Sequence, residues 1–264
     1  MRKFIAFMFF IHIFFHPIWG DVSIHYPNYF EKNQKVYAFG GKINVRDGAS
    51  VKAKKVFQLI EGEEVTIQEQ KQEETIGKLK GNWYKIQNNE KKTGYAFGFF
   101  LTSNKKDLGD GKIVLFSVSE TKPESFEFRI VKNGKLIAQH TLEKIPTASA
   151  SFEFHEDFYG KDNHAVFLSI GSGESCPSAH YYYNYSLEKN IFSLLLKQSG
   201  GSDPPAFHGF SYTFKKGKKY NVLIELEEAA EDENEKGPIY SLQIRRLYKY
   251  ANNKLQLIKE KKLK

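Results

Sequence analysis

The chain has a single cysteine, Cys176, in 264 residues. No intramolecular disulfide can form, so the fold must be held by core packing, which is feasible at this length. No apolar run reaches the roughly 20 residues that a membrane-spanning helix needs. No long amphipathic helix stands out, which points to β structure, and no repeat of fixed period does, which argues against a propeller. His-Glu-x-x-His spacing and a calcium-loop pattern are both missing. Gly171 and Gly173 lack the Lys-Ser/Thr ending of a phosphate loop, and therefore read as turn residues. No nucleic-acid motif is present either.

What the chain does have is aromatic side chains. It carries 23 Phe and 15 Tyr, with 15% aromatic and 41% hydrophobic residues overall, a composition of β-rich structure rather than of disorder. The formal charge is +8, with the two signs largely interspersed. An acidic block (Glu227, Glu228, Glu231, Asp232, Glu233, Glu235) and a lysine-rich end (Lys259, Lys261, Lys262, Lys264) read as solvated surface with a weak attraction for anionic envelope polymers.

The first twenty residues differ from the rest. Arg2 and Lys3 precede the almost wholly apolar Phe4 to Phe15, and Pro17 to Gly20 offers a cleavage site, the layout of a secretory signal peptide. Cleavage after Gly20 removes those two charges and leaves +6. No cysteine lies near the cut for a lipid anchor, so the expected product is exported, periplasmic or extracellular, without a membrane anchor.

From Gln34 to Thr102 the chain reads as short strands separated by glycine turns. Val65 and Ile67 alternate with polar neighbours, and Trp83 and Lys85 alternate with Tyr84 and Ile86, a period of two that suits a small closed barrel. Gly48, Gly62 and Gly94 fall where the chain must reverse. The order Ile43-Asn44-Val45-Arg46 with Gly48, then Leu59 to Gly62, Val65 to Ile67, Trp83-Tyr84-Lys85-Ile86 and Gly94 to Phe97 resembles a bacterial SH3 domain over about a quarter of the chain. The charged segment Gln68 to Gly81 is longer than the family usually has and reads as an enlarged loop. The resemblance implies a non-enzymatic module that binds peptidoglycan or a protein or peptide partner of the cell envelope. It implies that Val45 and Trp83 are largely core, and leaves Arg46, Asp47, Tyr84 and Tyr95 as the expected surface contacts.

Residues 21–33 form an N-terminal segment and the polar, glycine-containing stretch 103–111 a linker. Residues 112–264 are dense with strand signals. Phe126, Phe128 and Ile130 alternate with Glu127 and Arg129, and Asn133-Gly134 is a two-residue hairpin signal. Further strands surround Phe152 and Phe154, Val166 to Ile170, and Phe210 to Phe214. Hairpin turns are expected at Glu188-Lys189-Asn190, Lys216-Gly217-Lys218 and Ala251-Asn252-Asn253. The fold class is therefore all-β: a small SH3-like barrel followed by a larger antiparallel β domain, whether sandwich, meander or barrel.

Two groups in that second domain carry possible chemistry. Cys176, near His180, is a nucleophile only if a base or positive field activates it, and Pro177 followed by a strand is the wrong setting for a helix N-terminus. His155-Glu156-Asp157 and Asp162-Asn163-His164 hold metal-ligand types, which as the tip of a hairpin would be a solvated turn. An envelope hydrolase built on either group is the alternative, and a host-facing adhesion or structural role a third. Tyr181, Tyr183 and Tyr185 share one strand face, with His180, Tyr182 and Asn184 on the other. The expectation is a binding protein with no catalytic residue, metal or cofactor and no nucleic-acid partner.

Overall fold

The computed structural model describes residues 22–25, 29–123, 125–142, 149–171, 178–203, 206–234 and 237–264. The expected signal peptide, residues 1–20, lies outside the described residues. Strand β1 (Val22–His25) belongs to the second domain, where it pairs with Ser149–His155. The chain then enters the barrel. Phe30 is buried there, and the Asn33 amide donates to the Ile67 carbonyl at 2.7 Å.

The barrel comprises β2 (Lys35–Ala38), β3 (Lys42–Arg46), β4 (Lys55–Ile60), β5 (Glu64–Ile76), β6 (Leu79–Asn88), β7 (Thr93–Phe97), a 3₁₀ turn at Gly98–Phe100 and β8 (Leu101–Thr102). Its strands run in the order β4-β3-β7-β6-β5-β2-β8. The alternation in the sequence supplies the core: Val36, Val45, Leu59, Ile67, Tyr84 and Ile86 point inward together. Glycine is required where β7 crosses β3, because a Cβ on Gly94 would stand 2.6 Å from Val45 Cγ1 and 2.8 Å from the Arg46 carbonyl oxygen.

Gln68 to Gly81 is not a loop. β5 and β6 continue through it as a hairpin that turns only at Gly77 and Lys78, with Gly77 at a φ of 63°. Cross-strand pairs hold the extension, among them Glu73 with Lys80 at 3.1 Å, and the Trp83 indole N–H donates to Glu74.

The stretch 103–111 includes β9 (Lys105–Asp107), hydrogen-bonded to β10 (Lys112–Val118). With β11 (Phe126–Lys132) and β12 (Lys135–Thr141) these form a four-stranded sheet. Both faces of that sheet are covered. Val114, Phe116, Phe126, Phe128 and Ile130 enter one core, while Leu115 and Val131 pack on Phe39 of the barrel.

The remaining strands are β13 (Ser149–His155), β14 (Asn163–Gly171), β15 (Ser178–Ser186), β16 (Ile191–Asp203), β17 (Ala206–Lys215), β18 (Val222–Asn234), β19 (Gly237–Ala251) and β20 (Lys254–Lys262). They form one antiparallel meander, with β1 added outside β13. The hairpin turns follow their residues: Asn133 and Gly134 have φ of 49° and 76°, and Asn252 and Asn253 have 54° and 59°, the left-handed pair of a type I′ turn. One face of β13 to β16 presents Phe152, Leu168, Tyr183, Tyr185 and Phe192 to the four-stranded sheet. The other is also covered, since the meander curls and brings Tyr212, Leu223, Tyr248 and Leu255 onto Phe167 and Tyr182. Both faces of the tyrosine strand are therefore core. The all-β reading holds, and the larger domain is a curled meander with the four-stranded sheet packed on one of its faces.

Candidate functional site

A cleft of about 400 Å³ opens on the outer face of the barrel. Alternation on β6 creates it: Tyr84 and Ile86 point into the barrel, so Trp83 points the opposite way and becomes part of the cleft wall. Phe97 lies 5.5 Å from the Trp83 ring, and Phe100 6.1 Å from Phe97. Backbone and side chains of Gly40 to Asn44, with Arg46, Val51 and Ile76, complete the barrel's share of the lining. Ile76 belongs to the hairpin extension, so the insertion shapes the cleft. Trp83, Phe97 and Phe99 also belong to the same contiguous cluster as Phe116 and Phe128 of the second domain.

The four expected contacts separate. Arg46 lines the cleft, its guanidinium held by a 2.6 Å hydrogen bond from Nη1 to the Ala53 carbonyl. Tyr95 pairs with Arg46 across β3 and β7 and is half-buried beside the Trp83 cluster. Asp47 is exposed in the β3–β4 connection, where its carboxylate accepts the Lys54 amide at 3.0 Å, and it is outside the cleft lining. Tyr84 is corrected outright: it is fully buried, its hydroxyl accepts the Phe30 amide at 3.2 Å, and burial pushes its phenol pKa up. A residue sealed in the barrel cannot touch a ligand. Arg46 is the one expected contact that lines the cleft; Trp83, Phe97, Phe100 and Glu120 are among the other lining residues. Strand alternation would have flagged Trp83 once Tyr84 was known to be inside.

Glu120, beyond the end of β10, brings the second domain to the cleft. It sits at the edge of a buried charge cluster. Arg129 of β11 bonds Glu127 at 2.5 Å, Glu61 of the barrel at 3.2 Å and Glu120 at 3.2 Å, and its guanidinium lies 4.3 Å from the Phe39 ring centre. Glu61 also accepts the Gly40 amide at 3.1 Å, and Glu127 accepts the Ser119 and Thr141 hydroxyls at 2.8 and 2.9 Å. Burial raises the Glu61 pKa, opposed by the Arg129 charge beside it.

In the second domain, the His155 and His164 groups do not converge. His164 is buried at the β13–β14 hairpin, its Nδ1 accepting the Asp157 amide at 3.0 Å. His155 instead meets Glu153 at 3.0 Å and the Phe214 ring at 4.2 Å, lining a second cleft of about 380 Å³ with Lys106, Glu156 and Phe158. Among the described residues no group of three His, Cys, Asp or Glu side chains is placed to hold a metal ion. Cys176 lies outside the described residues. His180 is buried against Phe167, and burial lowers its pKa.

A closed antiparallel barrel with a cleft on its outer face has the form of a small recognition module. Residues 41–102 match the bacterial SH3 domain family, so the chain contains a bacterial SH3 domain. No curated protein and no solved structure matches the chain. Domains of this family generally bind peptidoglycan or proteins and occur in envelope-associated proteins. Among the described residues no helix is long and apolar enough to cross a membrane.

Proposed function

We propose that the chain is an exported, non-enzymatic binding protein of the cell envelope whose SH3 barrel holds an extended peptide, that of peptidoglycan or of an envelope protein. The cleft carries the reading. It combines the part-exposed Phe100 ring, backed by the buried Trp83 and Phe97, with the Arg46 guanidinium and the backbone of Gly41 as polar partners. The apolar leader at residues 4–15 supports export.

The test uses the whole chain, because Trp83, Phe97 and Phe99 pack in a core shared with the second domain and an isolated barrel would expose them. Co-sedimentation with purified peptidoglycan at low and moderate salt should show retention that survives the salt. Arg46→Ala should lower it about tenfold, the loss expected for one charge-assisted contact. Absence of retention, or retention that moderate salt abolishes, would remove peptidoglycan as the ligand and leave the protein partner, sought by crosslinking in envelope extracts.

A further inference from the structure

We infer that the cleft selects a peptide bearing a free amine, and that the second domain supplies the recognising group, the Glu120 carboxylate. This rests on the peptide-binding reading above and specifies its ligand.

Glu120 is the cleft-lining residue that comes from outside the barrel. One carboxylate oxygen, Oε1, is held 3.2 Å from Arg129 Nη2. The other, Oε2, faces the start of β3, since a Cβ on Gly40 would stand 3.5 Å from it. The side chain is 37% exposed, whereas Arg129, Glu61 and Glu127 are all more than nine-tenths buried. Arg129 thus orients Glu120 without neutralising it, because the same guanidinium already faces Glu61 and Glu127. Three carboxylates share one guanidinium. Glu61 and Glu127 are satisfied further by the Gly40 amide and by the Ser119 and Thr141 hydroxyls, all neutral donors. The charge that remains is presented at the cleft, where a cation is the complementary group. Lys42 stands at the rim of the same end, exposed, and makes no ion pair with Glu120 among the described residues.

The two poles are set apart by β3. Glu120 faces the bend at Gly40, two residues before β3 begins at Lys42, and Arg46 ends the strand. Four residue steps from Lys42 to Arg46 span about 13 Å of extended chain. The aromatic wall of Trp83, Phe97 and Phe100 belongs to the same cleft. The complementary ligand is an extended segment at least as long as β3, with an ammonium group towards Glu120 and a carboxylate towards Arg46. Amine-bearing peptides of peptidoglycan have this chemistry.

The experiment compares retention of the whole chain on purified peptidoglycan with its free amines intact and on the same material N-acetylated with acetic anhydride. Acetylation should reduce retention of the wild type about tenfold, the effect of losing one charged hydrogen bond. Glu120→Gln keeps the size and the hydrogen bond to Arg129 and removes the charge. This variant should bind intact peptidoglycan as weakly as the wild type binds the acetylated form, with no further loss on acetylation. The wild-type contrast stands alone if the variant fails to fold. Retention unaffected by acetylation, or a Glu120→Gln protein that still discriminates, overturns the amine inference and leaves wall binding intact. Absence of wild-type retention on either material overturns both.

Discussion

Glu61 of the barrel and Arg129 of the second domain form an ion pair at 3.2 Å in which both side chains are more than 95% buried. Residues 68 positions apart in sequence are joined at the point where the two domains meet. A buried pair of this kind contributes little net stability when compared with an apolar substitute, but removing one partner leaves the others stranded.

Replacing Arg129 by Ala should therefore destabilise the protein by about 3–5 kcal/mol, since Glu61 and Glu127 lose their counter-charge while buried. Glu61→Gln should cost much less, because burial already disfavours its charge and the amide can still accept from Gly40. Chemical denaturation of the two variants measures this, and equal losses would show that Arg129 acts through packing alone.

Two buried histidines, His164 and His180, and the half-buried His140 contribute to the acid response. Burial lowers the pKa of His140, His164 and His180. In the unfolded chain each takes up a proton near the ordinary value of about 6.5, and in the folded chain only at lower pH. The unfolded state thus binds more protons in that window, so stability is fullest above about pH 6.5 and falls as pH drops towards the depressed folded values. Melting temperature should decline from pH 7 to pH 5. His180→Phe keeps the ring beside Phe167, removes one of these titrations, and should flatten the decline. An unchanged slope would show that His180 titrates alike in both states.

Tyr84→Phe separates the barrel interior from the cleft. Its hydroxyl accepts the Phe30 amide inside the barrel, so the variant should lose about 1–2 kcal/mol of stability and keep full ligand retention. Reduced retention by a protein of otherwise native stability would return Tyr84 to the binding surface.

The barrel was legible because local pattern and turn chemistry agree. Val65 and Ile67 point inward as their alternation requires, and the bacterial SH3 match covers residues 41–102; in the second domain, Asn133-Gly134 makes its hairpin. The hairpin extension was misread as a loop. Its charged residues carried no apolar alternation, and its order comes from cross-strand partners such as Glu73 with Lys80 and Glu74 with Trp83. The cleft was only partly legible. Arg46 was expected and lines it, whereas Tyr84 is buried and Trp83 takes the outer face.

Most of the strands, the hairpin turns and the all-β class were readable from the sequence, because each depends on residues within about ten positions of one another, whereas the β5–β6 extension and β9 were not. The sequence also determined which side chains share a strand face. Tertiary structure alone decided what each face meets. The period of two places Glu127 and Arg129 together but does not say that the barrel covers them, and it separates Tyr84 from Trp83 without saying which lies inside. The covering groups, Glu61 for Arg129 and the curled strands β17 to β20 for Tyr182, come from distant parts of the chain. Glu120 reaches the cleft for the same reason: the packing of the four-stranded sheet on the barrel puts it there.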